Sequence, residues 1–151
     1  MATTINPTTP VTGDAIVSVT NPLPVTVVGG SGVNQKLFSI SAANMAVTTD
    51  QAFTKLFTGT LWIPTQIIAV RVAGAFGVAC AGGIYPAASK AGTAIVANSQ
   101  SYAALTGANT SVLATLATQA VQTTVLPYLS LTTGNTGALT ANIYIYGVIV
   151  D

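Results

Sequence analysis

The sequence contains no histidine and no glutamate, a single cysteine, and only three aspartates: Asp14, Asp50 and Asp151. Each shortage excludes chemistry. General acid–base catalysis needs a titratable group tuned to its task. Without His or Glu there is no Ser-His-Asp triad, no Cys-His pair and no pair of catalytic glutamates. One Cys and no His cannot build a zinc site, and three dispersed aspartates do not form a calcium loop. The sequence therefore predicts a protein that is not an enzyme and that takes no metal or cofactor. Cys80 has no partner for an internal disulfide, and in "FGVACAGGIY" it reads as a buried structural thiol. Asp14, in "TGDA", and Asp50, in "VTTDQAF", read as turn or strand-start residues.

Charge of either sign is also scarce. Charged residues are 5% of the chain, against about 25% in an average soluble domain. The four cations Lys36, Lys55, Arg71 and Lys90 are scattered along the sequence, whereas phosphate binding needs several on one face. Nucleic acid is thus not an expected partner. A membrane is not expected either. The most apolar stretch, Ile67 to Tyr85, is interrupted by Arg71 and glycines and alternates, which predicts two strands rather than a spanning helix. "MATTINPTTPVTGD" has neither the basic nor the apolar region of a secretory signal, so synthesis and first folding in a cytoplasm are expected.

What fills the gap is threonine, with 24 copies, and a hydrophobic half in which aromatics are only 7%. Threonine and valine suit a pleated, half-buried surface. A chain of 151 residues reads as one domain, able to bury about 70% of its unfolded surface. With a net charge of +1, little electrostatic repulsion keeps copies apart. The composition favours a surface that is covered in an assembly over a free monomer.

Residues 1–33 differ from the rest, holding four of the seven prolines and then Gly29, Gly30 and Gly32. Proline and its predecessor favour extended backbone. An extended N-terminal arm is expected, with apolar strands at Ala15–Thr20 (Ile16, Val17, Val19) and Val25–Val28 (Val25, Val27). Residues 34–151 then read as strand, turn, strand. Lys36–Ser41 alternates, with Leu37, Ser39 and Ser41 on one side and Phe38 and Ile40 on the other. Phe53–Ile63 and Gln66–Phe76 follow, with Ile68, Val70 and Val72 sharing a face. "GVACAGGIYPA" is a strand with a bulge or close backbone approach at Gly82-Gly83. "SQSYAALTG" and "AANMA" are the candidates for a helical turn, and "SVLATLATQAVQTTVL" is ambiguous between helix and strand. "LPYLSLTT" and "LTANIYIYGVIV" flank "GNTGA" and read as a hairpin. Eight or nine short strands predict an all-β fold, a jelly roll or β-sandwich.

The last strand is apolar on both sides. Ile143, Ile145, Gly147 and Ile149 face one way; Tyr144, Tyr146, Val148 and Val150 face the other. One face belongs to the core. The other, with Tyr144 and Tyr146, packs either on a neighbouring subunit or under the arm.

The segments "CAGGIYPAASKAGTAIVANSQSYAALTGA" and "LPYLSLTTGNTGALTANIYIYGVIVD" resemble small structural proteins of tailed bacteriophages, over roughly the last 75 residues. Asn142 stands where such chains lead one to expect Asp. The resemblance implies a jelly-roll capsid decoration, or cement, protein on the outer surface of the virion, made in the bacterial host cytoplasm. Its implied partners are copies of itself, as a homotrimer, and the major capsid protein. A neck, collar or tail component is the alternative, and a carbohydrate- or receptor-binding module a further one. For the latter Trp62, Tyr85 and Tyr102 are the aromatic candidates, although Trp62 reads better as core. If the arm acts by strand addition, deleting residues 1–30 should abolish capsid binding and leave the body folded; unchanged binding refutes this.

Overall fold

A computed structural model describes residues 32–74, 77–106, 110–123 and 126–150. The arm strands, with Ile16, Val17, Val19, Val25 and Val27, lie outside the described residues, as do Asp14 and Asp151. The described residues form eight strands: β1 (Asn34–Asn44), β2 (Gln51–Ala52), β3 (Thr54–Lys55), β4 (Trp62–Ala73), β5 (Ala81–Tyr85), β6 (Ser111–Ala114), β7 (Tyr128–Thr133) and β8 (Thr140–Ile149). They make two antiparallel sheets, ordered β3-β1-β8-β4-β6 and β2-β7-β5. The fold is all-β apart from one 3-10 turn at Ala103–Thr106, inside one of the two segments expected to be helical. The other, "AANMA", continues β1 and turns.

β8 is the central strand of the larger sheet, paired to β1 on one side and β4 on the other. Its burial alternates without a fault: Ala141, Ile143, Ile145, Gly147 and Ile149 are buried and their neighbours half-buried. The buried set meets Phe38, Ile40, Ile67 and Ala69 of the flanking strands, and Ile84, Leu129 and Leu131 of the smaller sheet, in one core cluster. Each fully buried aliphatic side chain contributes about 1.5–3 kcal/mol. Phe38 anchors the β1 end of this core. Its ring lies 4.8 Å from Trp62 and 5.2 Å, edge-on, from Phe57. Trp62 is buried, as expected, and so is Cys80.

Three departures from the sequence reading have local causes. Leu37 does not share the exposed side with Ser39. A bulge between Lys36 and Phe38 turns both Leu37 and Phe38 inward, each 0% exposed, because the extra residue breaks the two-residue period. "GNTGA" does not close a hairpin. β7 belongs to the smaller sheet and β8 to the larger, so this segment carries the chain from one sheet to the other. Asn135 holds the crossing: its amide donates to Val78 C=O at 2.7 Å, and its Oδ1 accepts from Gly137 N–H at 2.6 Å and Gly77 N–H at 3.1 Å. Its own N–H bonds Met45 C=O at 2.7 Å. Buried at 3% exposure, Asn135 is fully used. Finally, Phe53–Ile63 is not one strand; two-residue β3 gives way to an irregular link before β4.

Asn142, the residue singled out against the resembling chains, accepts the Ala42 N–H at 2.8 Å. Ala42 has a left-handed φ of 51° in the second bulge of β1, between Ile40 and Ala43. A side-chain acceptor across the ladder satisfies an amide that the bulge has turned away from β8.

Gly82 shows the close approach that the Gly-Gly pair suggested. A Cβ there would stand 2.3 Å from Leu131 Cα and 2.6 Å from Ser130 C=O, in backbone that cannot yield. The ladder to β7 also shifts register between Ala81 and Gly82. Gly82→Ala should therefore cost about 1–3 kcal/mol, the range for overpacked interiors, seen as a lower urea midpoint; an unchanged midpoint contradicts this packing.

Candidate functional site

Among the described residues, the outward face of the five-stranded sheet gathers apolar side chains from several strands. Cross-strand register fixes its members, because residues opposite one another share a face. Tyr144 lies opposite Ser39 of β1 and Ile68 of β4, and Ile68 in turn lies opposite Leu113 of β6. One row thus runs Ser39, Tyr144, Ile68, Leu113. The next row down is Lys36, Tyr146, Gln66, and below it Asn34, Val148, Ile63. Above lie Asn142, Val70 and Ser111. Tyr144, Tyr146, Ile63, Ile68, Val70 and Val148 are half-buried, whereas Leu113 and Val72 are 63% and 51% exposed.

Among the described residues, the charge on this face is a single cation. Lys36 Nζ stands 5.3 Å from the centroid of the Tyr144 ring, a cation–π arrangement that leaves the ammonium at the surface. Asp50, the one carboxylate among the described residues, precedes β2 in the other sheet. The face therefore offers aromatic and aliphatic area, a few hydroxyl and amide groups, and one positive charge. Such a surface suits a neutral partner or one with a local negative charge.

The structure thus brings Tyr144 and Tyr146 together on one surface. It adds residues that the tyrosines alone did not indicate: Ile63, Ile68 and Val70 from β4, and Leu113 from β6. The signal for two of them was the alternation that set Ile68 and Val70 on one face; Val72, in the same alternation, falls in the bulge between Arg71 and Ala73. Leu113 sat in the stretch ambiguous between helix and strand, where no period marks a side.

Other places offer less. Tyr102 is fully buried and Tyr85 is 7% exposed, which withdraws all three aromatics considered for sugar binding, Trp62 included. Burial raises the Cys80 thiol and the Tyr102 phenol, so both stay uncharged at neutral pH. Two clefts, of about 270 and 480 Å³, are lined by threonine, alanine and small polar residues without a titratable side chain. Among the described residues no group of three or more His, Cys, Asp or Glu is placed to hold a metal. No helix among them is long and apolar enough to cross a membrane.

Asp50 has a local structural task. Its Oδ2 accepts the Ser89 N–H, and Ser89 and Lys90 both have φ of 58°, a costly conformation for side-chain-bearing residues. The carboxyl is held below its ordinary value of 3.8 by the Ser130 hydroxyl, the Ser89 N–H and the charge of Lys90.

These features define an all-β domain with an unusually apolar outward sheet face. No family model, no curated protein and no solved structure matches the chain.

A depressed carboxyl stabilises the folded state most above the unfolded pKa, and that contribution fades as pH falls through the folded value. Acidifying below 3.8 should thus loosen the Ser89–Lys90 turn. Asp50→Ala should raise exchange of the Ser89 amide at neutral pH by roughly two- to fivefold, the size of an exposed charge interaction; hydrogen exchange unchanged by the substitution contradicts the assignment.

Proposed function

We propose that this chain is a structural component of a virion that decorates and reinforces a phage capsid from its outer surface. It does so as a homo-oligomer, most simply a trimer, whose two sheets pack as a jelly-roll-like sandwich. The observation that carries this reading is the outward face of the five-stranded sheet, where Tyr144, Tyr146, Ile68, Val70 and Leu113 adjoin, with Lys36 the one charge beside them among the described residues. Exposed apolar patches of this kind mark contacts, and tyrosine supplies large contact area for little loss of side-chain freedom. The resemblance of the C-terminal half to small phage structural proteins supplies the kind of assembly. A lattice multiplies weak contacts into strong attachment, which suits a face without deep pockets or dense charge.

The function requires rigidity rather than chemistry, and the chain's makeup agrees with that requirement. In this reading the core side of β8 fixes the body, the tyrosine side grips the neighbour or shell, and the arm reaches further along it.

Replacing both tyrosines by threonine, a residue equally at home in strands, should leave the body folded. Binding to capsids that lack the protein should weaken about 30-fold or more, as for central aromatic anchors worth about 2 kcal/mol. Full binding by Tyr144→Thr/Tyr146→Thr overturns the role of this face. Counting copies per particle separates decoration, which needs hundreds, from a neck, collar or tail position.

A further inference from the structure

We propose that the outer edge of β6 is a strand-acceptor site, and that its occupant is the Ala15–Thr20 segment of a second copy of this chain. The inference rests on the assembly reading above and names the contact through which copies would join.

The acceptor follows from hydrogen-bond alternation. Arg71 N–H donates to Thr110 C=O at 3.1 Å, in register with Ala69↔Val112 and Ile67↔Ala114. In an antiparallel ladder bonded and non-bonded pairs alternate. Val112 and Ala114 therefore spend their backbone groups on β4, while Ser111 and Leu113 point theirs away from it. The next outward amide, Thr115 N–H, is taken by Gln100 Oε1 at 2.8 Å. Among the described residues β6 is the end strand of its sheet, with no strand on its far side. Natural edges are commonly guarded by charge or proline. This one, "SVLA", has neither, and Leu113 is 63% exposed beside Ile68.

The occupant follows from where the described residues begin. Gly32 N–H bonds Ile149 C=O at 3.2 Å, so the first described residue lies beside the end of β8. Within residues 1–31, "AIVSVT" is apolar at four of six positions and is followed by Asn21-Pro22, which ends a strand. Val25–Val28 is too close to Gly32 to travel far; Ala15–Thr20 has eleven residues of connector between Thr20 and Gly32.

The course of that connector favours a second copy. A strand added beyond β6 lies four strand spacings from β1, and Leu113 is level with Ile68, six residues up β4 from Trp62, the partner of Ile149. At about 4.8 Å per strand and about 3.3 Å per residue, the direct path is roughly 28 Å. The connector, drawn out over twelve steps from Thr20 to Gly32, reaches roughly 40 Å at about 3.3 Å per step, so it covers that path only on a nearly direct course. That course runs over β8 and β4, so docking on its own β6 would lay the connector across the tyrosine face that the assembly reading assigns to a neighbour, whereas the arm of a second copy leaves that face open.

The test uses full-length chains bearing one new cysteine each. Ile16→Cys, Val17→Cys and Val19→Cys, which sample the strand register, are mixed in turn with Leu113→Cys and oxidised. Cys80, 0% exposed, stays out of reach. At least one pair should give an interchain disulfide in about tenfold excess over the same arm variant mixed with Thr136→Cys, because docking raises the local thiol concentration. In parallel, Leu113→Pro removes an outward N–H without breaking the β4 ladder. It should reduce self-association as much as deleting residues 1–30 does.

Yields equal to the Thr136→Cys control overturn the inference. So does Leu113→Pro without effect on association. If these fail while Tyr144→Thr/Tyr146→Thr still weakens shell binding, the strand exchange falls and the proposed function stands. If the link forms and the tyrosine pair proves inert, the reverse holds.

Discussion

Everything in the larger sheet is built on β8 being paired on both sides. Its ladder to β1 runs from Thr140 to Val148 and its ladder to β4 from Thr140 to Ile149, so it can shed neither neighbour without losing the core. A one-residue slip would exchange Ile143 and Ile145 for Tyr144 and Tyr146 on the inner side. Two phenolic hydroxyls would then enter the core and two isoleucines would go to the outside. Register is therefore fixed by which set of side chains is wholly apolar, and with it the identity of the outward face. The same strand that closes the core thus presents the surface assigned to assembly.

That dependence explains how much was legible in the sequence. The period-two pattern from Thr140 onward determined β8 and both of its faces, because alternation is a local property. The paired glycines at 82 and 83 were legible for the same reason: two residues without Cβ inside an apolar run signal a backbone pressed close. What local pattern could not supply was partnership. "GNTGA" announces a chain reversal, yet whether its flanks pair or part depends on Asn135, whose acceptor and donors reach Gly77 and Val78 nearly sixty residues away. Leu37 was misplaced because a bulge leaves no mark in the sequence of "QKLFS". Leu113 was missed since a four-residue strand is too short to show a period.

The shortage of ionisable groups has a structural counterpart. With Lys36 over Tyr144, Lys55 over the Phe57 ring and bonded to Gly59 C=O, and Asp50 bonded to Ser89 N–H, several of the few charges are engaged locally. Little is left to keep two copies apart or to discourage strand addition at β6. Solubility of a lone chain and its capacity to assemble are therefore opposed in this design. Covering the tyrosine face would relieve that conflict, and a lattice of repeated contacts is one way to cover it.

The central claim, that the tyrosine face is buried between molecules, is tested most directly by native mass spectrometry of the purified full-length chain. The account predicts one defined oligomer, with the trimer as the simplest case, that dissociates when Tyr144 and Tyr146 are replaced. A population that stays monomeric as concentration rises would contradict it.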